Sequence, residues 1–106
     1  MKNKIVEAVT LIFQTSDLYD LDLQSEANKL TEEAQEVQDA ISNPLVDEPV
    51  EFELCDAAIA ALSAFRNVCR NRGMTQDETA VFMHAAIERK VEKWRTKYPV
   101  GGTDNE

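Results

Sequence analysis

Two short acidic runs hold the residues best suited to chemistry. Lys29-Leu30-Thr31-Glu32-Glu33-Ala34-Gln35-Glu36 contains three carboxylates, and Glu53-Leu54-Cys55-Asp56 contains two. On a helix, residues three apart lie on the same side, one turn above the other. Glu33 with Glu36, and Glu53 with Asp56, therefore form two pairs. The first flanks a stripe of Leu30, Ala34 and Val37; the second flanks Leu54, Ala57 and Ala58. Like charges at the edge of a core face repel and are poorly solvated. A hard divalent cation with oxygen ligands removes that penalty. Mg²⁺ ordinarily takes one or two carboxylates plus water and phosphate oxygens. Four carboxylates thus suit more than one ion, or one ion awaiting a polyphosphate. The same acids also have a plainer reading, as solvated faces with i,i+4 pairs such as Lys29–Glu33.

Four helices must position these acids. Ile5, Val9, Ile12 and Phe13 recur at helical spacing, with Leu18 and Tyr19 extending the face, and predict a helix over about 3–20. Ala27, Leu30, Ala34, Val37 and Ile41 form one stripe and predict a second over about 24–42. It ends near Asn43-Pro44, because proline disfavours helical geometry in the preceding residue. Asp47 is the expected N-cap of a third helix over about 49–72, with Pro49 just inside it. Gly73 suits a left-handed cap after an Arg-rich last turn. Thr75 and Glu78 match a capping box opening a fourth helix, about 76–97, which ends before Pro99. Short connections make this an all-α, four-helix bundle-like single domain over 1–99, with a flexible tail at 100–106. The acidic helices become antiparallel neighbours, so their carboxylate pairs can face each other. The apolar stripes are wide for so short a chain, and association through the helices would supply the missing burial.

Composition narrows the function classes. The chain has 106 residues, 43% of them apolar and 29% charged, the balance of one folded domain. Residues 1–56 carry 14 acidic and 3 basic side chains, and the remainder 6 and 8, for a net charge of −9. That sign argues against a nucleic-acid polymer as partner, since neutralising phosphates needs the opposite charge. No apolar run is long enough to span a membrane, and the N-terminal stretch lacks a small-residue cleavage site, so the expected compartment is the cytoplasm. Cys55 and Cys69, 14 residues apart on one helix, are too distant for a disulfide and are expected as buried thiols. His84, the single histidine, lacks the partners of a di-iron or zinc site. Phe13, Tyr19, Trp94 and Tyr98 suit either core packing or stacking on a base.

The bipartite acidic pattern resembles the MazG-like all-α nucleoside triphosphate pyrophosphohydrolases, related to dimeric dUTPases. Their hallmark is EExxE, a spacer, then ExxD. Here these are Glu32-Glu33-Ala34-Gln35-Glu36, residues 37–52, and Glu53-Leu54-Cys55-Asp56. Lys29-Leu30 matches the common KLxEE form, and the alanine-rich run after Asp56 is similar too. The resemblance covers the second to fourth helices. It implies Glu33, Glu36, Glu53 and Asp56 as Mg²⁺ ligands, and Glu32 as a catalytic assistant to the metal or a bound water. Lys93-Trp94-Arg95-Thr96-Lys97-Tyr98-Pro99 is similar to the family's basic KFxRRxP stretch, with Thr96 where arginine is common. Lys29, Lys93 and Lys97 are thereby implied as substrate-binding. The implied activity is Mg²⁺-dependent hydrolysis of a nucleoside triphosphate to monophosphate and pyrophosphate, by a homodimer or homotetramer that clears unwanted nucleotides. The alternative is a non-catalytic acidic helical module that binds proteins or nucleotides.

Overall fold

A computed structural model describes residues 3–43 and 48–100. These form four helices and no strand: α1 (Lys4–Tyr19), α2 (Leu23–Ser42), α3 (Val50–Asn71) and α4 (Gln76–Lys97). Each boundary has a local cause. Asn3 accepts hydrogen bonds from the amides of Ile5 and Val6 at 2.8 and 3.2 Å, and Asp22 accepts one from Ser25 at 2.7 Å. Such caps satisfy amides that have no partner within the helix. The capping box forms as expected: the Glu78 amide donates to Thr75 Oγ1 at 3.1 Å, and the Thr75 amide donates to Glu78 Oε1 at 2.8 Å. Gly73 takes φ +79°, the left-handed conformation that glycine adopts without strain. Asp47 lies outside the described residues. Pro49 stands one residue before α3, at the N-cap position, and no side chain caps that end.

α3 is the central helix. Its partner α2 runs antiparallel: Glu33 lies near Glu53 and Asp56, while Glu26, two turns earlier, meets Ser63 and Asn67. The α2 side of this seam is Glu26, Leu30, Glu33, Val37 and Ala40, of which Glu26, Glu33 and Ala40 are buried. Alternating steps of four and three residues make this a heptad-like seam. It differs from the expected stripe. Leu30 and Val37 belong to both, but Ala27, Ala34 and Ile41 are exposed beside the seam. Ser63 and Asn67 on α3 satisfy Glu26, and Lys29 on α2 pairs with one oxygen of Glu33, so apolar content alone misplaced the face.

Polar contacts also hold the other helices to α3. Arg66 Nε and Nη2 donate to the Asp17 carboxylate of α1 at 2.7 and 3.0 Å, a bidentate pair. Arg66 Nη1 donates to Met74 O at 3.0 Å and to Thr79 Oγ1 of α4 at 2.6 Å. Arg70 and Gln76 add further donors to Asp17 at 2.7 and 2.9 Å. The Phe65 and Phe82 rings meet with centroids 5.7 Å apart. Among the described residues, the buried apolar side chains are only Phe13, Ala40, Ala60 and Cys69. Cys55 is exposed, contrary to expectation, while Cys69 is buried and both are free thiols. They share a heptad position with half-buried Leu62, so burial deepens along α3. The late turns are covered by α1, α2 and α4, the early ones by α2.

The hydrogen bonds from Arg66, Gln76 and Arg70 hold the Asp17 carboxyl well below its ordinary value, against the opposing effect of burial. A depressed acid stabilises the fold above its unfolded-state pKa and loses that contribution as pH falls towards the folded value. Asp17→Ala should cost about 3 kcal/mol in urea unfolding at neutral pH, because Arg66 is left buried without its counter-charge. The deficit relative to wild type should shrink below the ordinary aspartate range. A deficit independent of pH would show that charge is not the cause.

Candidate metal centre

The α2/α3 seam places three acids together. One carboxylate oxygen each from Glu33, Glu53 and Asp56 lie within 4.8 Å of one another. Glu33 comes from the middle of α2, and Glu53 and Asp56 from successive turns at the start of α3. Glu33 is only 5% exposed, so it sits in the seam rather than at its edge. Glu53 and Asp56 are half-buried. Lys29 Nζ lies 2.6 Å from Glu33 Oε2, the i,i+4 pair anticipated from sequence. That pair raises the lysine's pKa and neutralises one oxygen of Glu33. The other oxygen, Oε1, is buried without a hydrogen-bond partner, as is Glu53 Oε1. Buried carboxylate oxygens are ordinarily satisfied, so the two orphans mark this cluster as a candidate cation site.

Electrostatics point the same way. Burial raises the pKa of Glu53 above its ordinary 4.5, and the charges of Glu48, Glu36, Asp56 and Glu33 add to the shift. Glu36 is exposed and stands outside the three-acid group, yet its charge reaches Glu53. Glu32 is also exposed. The oxygen donor set suits a hard cation such as Mg²⁺ or Ca²⁺; neither cysteine nor His84 joins it. His84 instead lies 3.4 Å from Glu88 on exposed α4.

A cleft of about 440 Å³ adjoins the acids. Glu33, Asp56 and Lys29 line one part, and Tyr19, Leu21, Glu26, Ile59 and Ser63 line the rest. Ser63 Oγ donates to Glu26 Oε1, and Asn67 Nδ2 donates to Glu26 Oε2 at 2.6 Å and to Leu21 O. Asn71 Nδ2 completes the chain by donating to Asn67 Oδ1 at 2.8 Å. This polar group was not anticipated. Its signal was the seven-residue interval from Glu26 to Glu33, which repeats the same seam position. Lys93 and Lys97 do not line this cleft; with Arg89 and Lys90 they line a separate one on α4. Of the anticipated aromatics, Tyr19 lines the carboxylate cleft, Phe13 is buried in the core, and Trp94 and Tyr98 are exposed. No helix among the described residues is long and apolar enough to cross a membrane. Compared with known proteins, the chain matches no family model, no curated protein and no solved structure.

The raised pKa of Glu53 fixes the sign of a test. An acid whose pKa is raised on folding destabilises the fold once ionised, so its contribution worsens as pH climbs from 4.5 through the folded value. Glu53→Gln should therefore raise the melting midpoint by a few degrees in chelator at neutral pH, with no gain below pH 4.5. Adding Mg²⁺ should raise the midpoint of wild type, through binding to the folded state, and not that of the variant. Equal Mg²⁺ responses would remove Glu53 from the cation site.

Proposed function

We propose that this chain is a Mg²⁺-dependent nucleoside triphosphate pyrophosphohydrolase of the MazG-like kind, acting in the cytoplasm as a homo-oligomer. The observation that carries the reading is the convergence of Glu33, Glu53 and Asp56, with orphaned oxygens on Glu33 and Glu53, beside a cleft bearing a lysine. These three acids hold the cation, and Glu36, one turn from Glu33, extends the negative field. Bound there, Mg²⁺ supplies charge neutralisation for a polyphosphate and a lowered pKa for water.

The chain's own residues bind and orient. Lys29 stands at the cleft wall, where its ammonium meets phosphate oxygens. Glu32, exposed beside Glu33 and outside the three-acid group, is where the resemblance puts an assistant to the metal or its water. Tyr19 and Ile59 offer an aromatic ring and an aliphatic surface to a base, and Ser63 offers a hydroxyl. Lys93 and Lys97 line a separate cleft on α4 and have no part in this site. Water adds across the anhydride between the α- and β-phosphates, giving a nucleoside monophosphate and pyrophosphate.

The exposed apolar side chains of α1 and α4, among them Ile5, Val6, Val81 and Trp94, favour a second reading as a protein-binding helical module. Product analysis separates the two. With each common NTP and dNTP, monophosphate and pyrophosphate should appear with Mg²⁺ and not with chelator. Glu33→Gln should abolish turnover while helix content by circular dichroism stays unchanged. Diphosphate with orthophosphate would overturn the cleavage position. No turnover on any nucleotide would favour the binding module.

A further inference from the structure

Glu26 is a buried acid that the cation site leaves unused. It is 5% exposed, yet it lines two adjoining clefts. One is the cleft that holds Lys29, Glu33 and Asp56. The other, about 280 Å³, lies between α1 and α3 and is walled in part by Leu11, Ile12 and Thr15. Tyr19, Leu21, Ile59 and Ser63 line both clefts together with Glu26. The two therefore form one trough, charged at one end and mainly apolar at the other, with a carboxylate where they meet. Glu26 and Glu33 are seven residues apart on α2, a rise of roughly 10.5 Å. That span suits a nucleotide whose phosphates meet the acid cluster while its base enters the apolar end.

The bonds that Glu26 already makes decide what it can add. Ser63 Oγ donates to Oε1, and Asn67 Nδ2 donates to Oε2 at 2.6 Å. Each carboxylate oxygen has two lone pairs, so each keeps one for a further donor. The two protein donors hold the carboxylate in one orientation, which fixes the free positions side by side. An ionised carboxylate accepts and does not donate. The complementary ligand edge carries two adjacent N–H donors and no acceptor. Among the common bases only guanine has such an edge, at N1–H and its 2-amino group. Adenine and cytosine set a ring acceptor beside their amino group, and uracil and thymine set carbonyls beside N3–H. An acceptor pressed against a buried carboxylate loses its water and gains no bond.

We propose that the substrate of this site is a guanine nucleoside triphosphate and that Glu26 determines the choice. Its two oxygens accept from guanine N1–H and the 2-amino group, while Tyr19 and Ile59 flank the ring. The inference rests on the nucleotide-hydrolase reading for its chemistry, and on the Glu26 cluster for its base.

Binding and turnover separate the two. The probes are α,β-methylene analogues of GTP, ITP, ATP and UTP, which cannot be split between the α- and β-phosphates, titrated by calorimetry with Mg²⁺. The guanine analogue should bind about tenfold more tightly than the hypoxanthine one, which lacks the 2-amino group and so one charge-assisted bond. It should bind at least about a hundredfold more tightly than the adenine and uracil analogues, which set acceptors against the carboxylate. Glu26→Gln changes the edge to one acceptor and one donor. Its oxygen can still accept from Asn67 and its amide can donate to Ser63 Oγ, so the cluster stays satisfied. The variant should lose the guanine preference and gain on adenine, whose donor and acceptor match a carboxamide. A purely structural role for Glu26 would weaken every analogue alike and keep their order, and that result would overturn the proposal. Equal wild-type affinities, a preference for another base, or no binding of any analogue would overturn it too, even if triphosphates are hydrolysed. Guanine-selective binding without turnover of GTP would uphold the base site and remove the hydrolase reading instead.

Discussion

The Arg66 guanidinium holds this molecule together. With four apolar side chains buried among the described residues, helix packing cannot rest on hydrophobic burial alone. From α3, Arg66 reaches Asp17 on α1, Met74 O in the α3–α4 turn and Thr79 on α4. A guanidinium serves this role well because its donors leave a rigid plane in fixed directions. Losing one recipient exposes the whole cost of a buried charge. The junction therefore fixes angles between helices that apolar contacts alone would leave loose.

That junction has a consequence for the carboxylates. α3 carries both Arg66 and the Glu53–Asp56 pair, so the helix held by α1 and α4 at one end presents acids to α2 at the other. Burial falls along α3 from Cys69 to Cys55. The acids occupy the less covered end, where a polar ligand can approach. Orphaned oxygens are affordable there because the more covered half of the helix, around Asn67 and Cys69, secures it.

The helices were legible from local signals. Thr75 with Glu78, Gly73, and the Asn43-Pro44 step each act within a few residues, and the observed boundaries fall within a residue or so of those expected. The pairing of Glu33 with Glu53 and Asp56 was legible because i,i+3 spacing and a short connection survive into the fold. The buried face of α2 was not. Reading Ala27, Leu30, Ala34, Val37 and Ile41 as the core assumed that apolar means buried, whereas Glu26 is buried by bonds from Ser63 and Asn67, nearly forty residues away. The Asp17–Arg66 pair was hidden for the same reason: its partners are 49 residues apart and neither has a local pattern. The α3 start was shifted by one position: Pro49 stands at the N-cap rather than just inside the helix, and no side chain caps that end.

The polar seam of α2 also acts as an alignment key. An all-leucine seam would pack almost equally well after sliding by one heptad. Here each rung differs: Glu26 is matched to Ser63 and Asn67, and Glu33 to Glu53 and Asp56. A slide of seven residues in one direction would bring Glu33 to the hydroxyl and amide and leave Glu26 facing none of its acceptor-seeking partners. The other direction would crowd Glu26 among the acids, with no hydroxyl or amide to receive it. Either slide would part Glu26 from the hydroxyl and amide that receive it, so the Glu26 rung favours the observed alignment. Positions 26, 63 and 67 consequently cannot drift independently. A sequence that replaces Glu26 with an apolar residue leaves the Ser63 hydroxyl and one N–H of Asn67 without their acceptor, while Asn67 keeps its bonds to Leu21 O and Asn71.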